Sequence, residues 1–318
     1  MKKYAPVVIY TYNRLEHLQK TIAALQANHL AVETDIFVVS DGPKDESARK
    51  RVSELRDYVD TITGFNVVNR IYREQNVGVF ESALMAERVI LSDYGKLITI
   101  EDDIVTSANF LDFINKGLEY YEFSDDVYTV SGYCHPFKFP TNYKYNAWKS
   151  PWFCPWGYGI LKKKYDMTNV EINVLDEIKK IKSKYRFLKK HGEFFFDSLQ
   201  DDARGLKVVS DARIAAQMLL METCSVMPSK SKVMNIGLDG TGVNCPPTTE
   251  YNVELDDGIQ RDFVFPSDPF DINRDEVKRY LNFMNGGLRT RVRRNISRQL
   301  RKIKLVFPAL LARGQRRF

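Results

Sequence analysis

Residues 97–104 read LITIEDDI: an apolar run that ends in three consecutive acids, Glu101, Asp102 and Asp103. Acid triplets normally decorate a solvated helix face, but this one closes a strand-like segment. Three further strand-like runs lie upstream: PVVIYTY (6–12), DIFVVSDG (35–42) and NVVNRIYRE (66–74). The intervening stretches have helical patterning. In NRLEHLQKTIAALQAN (13–28), Leu15, Leu18, Ile22 and Leu25 recur at helical spacing. KDESARKRVSELRDYVDTI (44–62) and NVGVFESALMAERVI (76–90) follow the same rule. This alternation with short connections predicts an α/β fold with a mostly parallel, doubly wound sheet and helices on both faces. Such sheets bind ligands at the carboxyl ends of their strands. Those ends carry Asn13–Arg14, Ser40–Asp41–Gly42, Arg73 to Asn76, and the acid triplet.

The pattern changes after about residue 105. SANFLDFINKGLEYYEF reads as a helix capped by Ser107, and DVYTVSGY as a strand. Residues 133–160 are aromatic, Pro-rich and loop-like, and residues 170–193 read as one or two charged helices. GLKVVSDARIAAQMLLMETCSVMP predicts a short strand, a helix and a strand. Residues 266–285 read as a linking segment. The expected organisation is one domain over 1–265 and a linker with a basic tail over 266–318.

Composition narrows the function classes. Aromatics at 12% argue for a packed chain, and no run approaches the roughly 18 apolar residues of a membrane span. The N-terminal apolar run is short and lacks a small-residue cleavage site, so it reads as a strand rather than a secretory signal. Cys134, Cys154, Cys224 and Cys245 are scattered and His is rare, which argues against a zinc site and for a reduced, cytoplasmic setting. The sheet lacks G-x-G-x-x-G and the P-loop pattern, which disfavours dinucleotide oxidoreductases and P-loop NTPases.

Successive side chains of a strand alternate, so Glu101 and Asp103 are expected on one face and Asp102 on the other. Carboxylates at such an edge suit a hard cation, Mn²⁺ or Mg²⁺, which takes one or two of them plus substrate phosphates. Arg14, where a strand ends and a helix opens, is placed for a phosphate, or is an ordinary helix N-terminal Arg. Asp41 could accept from a base or ribose, or form a turn before Gly42. Trp148, Trp152 and Trp156 offer flat faces for sugar C–H surfaces, or form a hydrophobic cluster. Gly157 and Gly159 would let backbone approach a ligand closely.

VVIYTYNR, FVVSDG, REQNVGV, ITIEDDIVTSANFLDFI, PWGYGI and NIGLDGTG, in this order, resemble nucleotide-sugar glycosyltransferases of the GT-A fold. The likeness covers residues 5–245 and leans toward the N-acetylglucosaminyltransferase I-like group and its bacterial relatives. It implies a GT-A-like, Rossmann-type domain and inverting transfer of a hexosyl or N-acetylhexosaminyl group from a UDP-sugar to a hydroxyl. It implies Asp103 as ligand to Mn²⁺ or Mg²⁺, and donor contacts from Thr11, Asn13, Arg14, Asp41, Asn76, Glu101, Asp102, Trp156 and Gly157. The family's later carboxylate base corresponds to Asp211 in VVSDARIAAQ, where the family's tryptophans are absent; Asp201 and Asp202 are the other candidates. Asp211 could equally be a helix N-cap. A nucleotidyltransferase using the same edge, or a nucleotide- or glycan-binding module, is the rival reading.

The formal charge is +6, yet residues 286–318 carry eleven Lys/Arg and no acid, which leaves the first 285 residues at −5. Leu288, Val292, Ile296, Leu300 and Ile303 fall at helical spacing among the arginines. A basic amphipathic stretch of this kind fits an anionic membrane surface better than nucleic acid. Together with the resemblance, it implies a peripheral enzyme at the inner face of a cell membrane, acting on a glycan or lipid-linked glycan in surface polysaccharide or glycolipid assembly.

Overall fold

A computed structural model describes residues 4–168, 173–206, 208–241 and 247–285. Cys245 and the basic stretch 286–318 lie outside the described residues. The strands are β1 (Val7–Thr11), β2 (Asp35–Ser40), β3 (Val67–Tyr72), β4 (Lys96–Glu101), β5 (Ile104–Thr106), β6 (Val127–Ser131), β7 (Ala147–Ser150), β8 (Tyr158–Leu161), β9 (Cys224–Pro228) and β10 (Val233–Asn235). The helices are α1 (Leu15–Gln26), α2 (Glu46–Asp60), α3 (Val79–Tyr94), α4 (Phe110–Tyr120), α5 (Lys162–Tyr165), α6 (Val174–Lys180), α7 (Lys182–His191), α8 (Glu193–Ala203), α9 (Ser210–Met221) and α10 (Asp275–Asn285).

Eight strands form one sheet in the order β3-β2-β1-β4-β8-β6-β9-β7, and β5 pairs with β10 beside it. The predicted strands β1 to β4 are parallel neighbours. Two strands arise inside the stretch expected to be loop. β8 lies antiparallel between β4 and β6, and β7 closes the far edge against β9. The sheet is therefore mixed in its second half.

Both faces are covered. On one, Glu87 of α3 accepts hydrogen bonds from Tyr10 of β1 and Thr99 of β4. On the other lies α4, whose Phe110, Phe113, Ile114 and Leu118 are buried at helical spacing. Burying such side chains contributes about 1.5–3 kcal/mol each. Several local expectations give way to packing. Helix α4 starts at Phe110 with Asn109, not Ser107, at the cap position; Ser107 instead accepts the Phe110 N–H through its carbonyl. Val208 and Val209 form no strand, and Val208 is exposed. Residues 266–285 are packed rather than linking: Tyr280 of α10 is buried with its ring 4.8 Å from that of Trp148.

Glu87 gives this core a pH signature. Burial pushes its carboxyl up to about 7, against the opposing pull of the Tyr10, Tyr165 and Thr99 hydroxyls. The folded state thus holds this proton more tightly than the unfolded chain, whose Glu titrates near ~4.3. The stability so gained is complete below the unfolded value and is lost as pH rises through about 7. Urea unfolding of Glu87→Gln and the parent should show the parent relatively weaker at pH 8 than at pH 5, by on the order of 2–3 kcal/mol. A difference that does not change with pH contradicts this assignment.

Candidate active site

Strand β4 ends at Glu101, and Asp102 and Asp103 occupy the turn before β5. Because the chain turns there, the strict alternation expected for the triplet does not hold. Arg14, just before α1, binds both aspartates at once: one Nη2 donates to Asp102 Oδ1 and, at 2.8 Å, to Asp103 Oδ2. Thr11 Oγ1 donates to the other Asp102 oxygen at 3.0 Å, and Thr21 Oγ1 to the Asp102 carbonyl at 2.8 Å. Burial opposes the charge on Arg14, but Asp102 and Asp103 outweigh it and hold the guanidinium above its ordinary value. Asp102 is displaced upward by burial despite Arg14.

Asp103 differs from its neighbour in one respect. Its Oδ1 is buried and has no hydrogen-bond partner. A buried carboxylate oxygen left without a donor is costly, and hard cations satisfy such atoms. Among the described residues no group of three or more His, Cys, Asp or Glu side chains is arranged as a complete metal cage. One such carboxylate oxygen would suit Mn²⁺ or Mg²⁺ whose other ligands come from phosphates and water.

Loop 236–241 packs onto this edge. The Ile236 N–H donates to the Asp103 carbonyl at 2.9 Å. A Cβ on Gly237 would stand 1.9 Å from Asp103 Oδ2 and 2.9 Å from Arg14 Nη1, so a larger residue there would have to displace the Arg14–Asp103 pair or the loop. His17 of α1 meets Asp239 Oδ2 at 3.2 Å. Hydrogen bonds from Thr241, with help from His17, hold the Asp239 carboxylate down at about 2.

Glu101 is partly buried and pushed up to about 8, first by burial, then by Asp103, Asp102 and Asp211 over the opposing Arg14. Asp211 is thus among the charges that oppose the ionisation of Glu101. Burial above all, and then Asp211 and Glu101, disfavours the Cys154 thiolate, which lies between Trp152 and Trp156 in sequence. Asp211 is not the N-cap of α9; Val209 holds that position, and Asp211 sits in the first turn with Oδ1 accepting the Ala212 N–H at 2.8 Å. Asp202 is held by Arg213 through two bonds of 2.7 and 2.9 Å. Asp201, also on α8, accepts the Arg204 and Leu206 N–H groups through its carbonyl.

Other expected contacts have different occupations. Asp41 accepts from the N–H groups of Gly42, Val77 and Gly78 and from Asn76 Nδ2, at 2.8–3.1 Å. That uses the ~four acceptor positions of a carboxylate, so Asp41 braces loop 76–78 and has none left for a base or ribose. Asn76 is the other half of the brace, donating also to the Gly42 carbonyl. Trp148 and Trp152 are buried core residues and offer no platform. Trp156 is half-buried, against Tyr133 and Tyr251, and alone of the three stays near the surface. Gly157, at φ +69°, makes room for Val233 and Phe110, and Gly159 for Ile114, so both serve packing within the chain. Asn13 lies half-buried in the turn after β1, next to Arg14. Thr21, His17 and Gly237 were missed as site residues. Arg14, His17 and Thr21 are spaced i, i+3, i+7, a helical face that pointed to this edge.

No protein-family model matches the chain, and no curated protein matches it. Solved structures do align with it. One is the mannosyltransferase PcManGT from Pyrobaculum calidifontis in complex with GDP-Man and Mn²⁺, at 12% identity and TM-score 0.34, over 50% of this chain and 46% of that one. Another is S. aureus TarS, at 12% identity and TM-score 0.41, over 74% of this chain and 37% of that one. This chain therefore spans less than half the length of either. Likenesses this faint assign nothing to individual side chains.

Proposed function

We propose that this chain is a metal-assisted, inverting glycosyltransferase that moves a hexosyl or N-acetylhexosaminyl group from a UDP-sugar to a hydroxyl. The observation that carries this reading is the Arg14–Asp102–Asp103 cluster at the carboxyl ends of parallel strands, with Asp103 Oδ1 buried and unpartnered. Asp103 would hold Mn²⁺ or Mg²⁺, which when bound supplies Lewis-acid neutralisation of the nucleoside diphosphate. Arg14 contributes fixed positive charge beside the same phosphates. Thr11 and Thr21 hold Asp102 so that Arg14 keeps one orientation. Glu101, at the end of β4 beside Asp102 and Asp103, would contact a hydroxyl of the donor. Trp156 offers the remaining aromatic face.

Asp211, whose charge is felt at Glu101, takes the proton of the acceptor hydroxyl as that oxygen attacks the anomeric carbon opposite the leaving phosphate. One base suffices for inversion, with no covalent intermediate. Asp202 ranks behind it because Arg213 already holds both its oxygens. The acceptor is a glycan or lipid-linked glycan in surface polysaccharide or glycolipid assembly, met at the inner face of a membrane to which residues 286–318 bind. Their eleven basic residues support that attachment, and no helix among the described residues is long and apolar enough to cross a membrane.

A panel of UDP-, GDP- and CMP-sugars with Mn²⁺ tests the reading. Slow hydrolysis of a UDP-sugar is expected. Absence of binding and turnover with every sugar nucleotide overturns it, and pyrophosphate release from a sugar phosphate plus UTP would instead mark a nucleotidyltransferase.

A further inference from the structure

We infer that helix α7 is a lipid-docking face of the folded domain. In α7, Lys182, Arg186, Lys189 and Lys190 are exposed and spaced i, i+4, i+7, i+8, which puts them on one stripe. The helix packs inward through buried Leu188, with partly buried Tyr185 and Phe187 on either side of it. The helix contains no acidic residue. Ion pairs on this side of the molecule engage other lysines: Lys179 with Asp176, Lys180 with Glu177, Lys184 with Glu222. Lys189 lies over the rings of Tyr185 and Phe196, while Lys182, Arg186 and Lys190 are exposed beside it.

Two further observations select the partner. Ile181, immediately before α7, is 40% exposed, and Phe194, just after it, is 55% exposed. Exposed apolar side chains at the two ends of a cationic helix suit the headgroup–acyl boundary of a bilayer and add nothing to a phosphate backbone. Asn285, the last described residue, lies against His191 at the end of α7, Nδ2 to Nδ1 3.4 Å. The 33 residues that follow it in sequence hold eleven Lys/Arg and no acid. This charge favours an anionic lipid surface. Helix α7 belongs with α6, α8 and α9, which pack on one another. Docking there would bring the helix that carries Asp211 toward the surface. The docking inference itself does not depend on the transferase reading.

The test is co-sedimentation of the full chain with vesicles of phosphatidylcholine alone and of phosphatidylcholine with phosphatidylglycerol at 3:1. Lys182→Glu, Arg186→Glu and Lys190→Glu combined should weaken binding to the anionic vesicles by about 100-fold in low salt. The corresponding triple Gln variant should show a smaller loss in the same direction, with thermal melts of both variants unchanged. Reversal of Arg49, Lys50 and Arg51, exposed on α2, changes net charge equally and should cost far less. Unchanged binding in the α7 variants, or equal loss in the α2 variant, overturns the inference. So does retention on RNA in preference to vesicles. Hydrolysis of a UDP-sugar, read on the same samples, reports separately on the catalytic assignment.

Discussion

Asp103→Asn should reduce metal-dependent turnover of a UDP-sugar by on the order of 100- to 1000-fold, with the fold intact. The substitution keeps the size of the side chain and an acceptor oxygen, so Arg14 retains a partner. It removes the negative charge that a divalent cation requires, at the buried Oδ1 that the protein leaves unsatisfied. Gly237→Ala should approach the same loss by another route. Its methyl group would stand 1.9 Å from Asp103 Oδ2, and either the loop or the Arg14–Asp103 pair must shift. Steady-state kinetics across Mn²⁺ concentrations, with circular dichroism as the fold control, reads both variants. Asp103→Asn with parental metal dependence would put the cation elsewhere.

Asp211→Asn should lower transfer to an acceptor by about 100- to 10,000-fold while leaving donor affinity within a few-fold of the parent. Asparagine can still accept from the Ala212 N–H, so the first turn of α9 is preserved. It cannot take a proton from an attacking hydroxyl. Asp202→Asn is the instructive control. Loss of the Arg213 pair should destabilise the α8–α9 contact and lower the melting temperature rather than act on chemistry alone. Transfer retained in Asp211→Asn and abolished in Asp202→Asn or Asp201→Asn would reassign the base.

The first half of the fold was legible because its signals are local. The strands β1 to β4 and helices α1 to α3 alternate with clear periodicity, and parallel order places Arg14 and the acid triplet at one edge without further information. The second half depends on contacts distant in sequence. β8 is four residues long, and contains Gly159, whose fitness for a central strand is set by Ile114 of α4. Trp148 and Trp152 read as well for a sugar platform as for a core; only the burial of both distinguishes the two. Asp41 before Gly42 was readable as a turn former, and its actual task is to brace a loop 35 residues later. Gly237 could be suspected only as part of a glycine-rich segment. Its approach to Asp103 follows from the pairing of β10 with β5, which no local pattern announces.

The central claim is that Asp103 and a nucleoside diphosphate together complete a divalent-cation site. Electron paramagnetic resonance of Mn²⁺ tests it most directly, because the sharp signal of free aqueous ion disappears on binding. With the full chain and UDP present, one equivalent of Mn²⁺ should be bound, and far less without UDP or in Asp103→Asn. Free Mn²⁺ that persists in the presence of protein and UDP, or full binding by Asp103→Asn, would contradict the account.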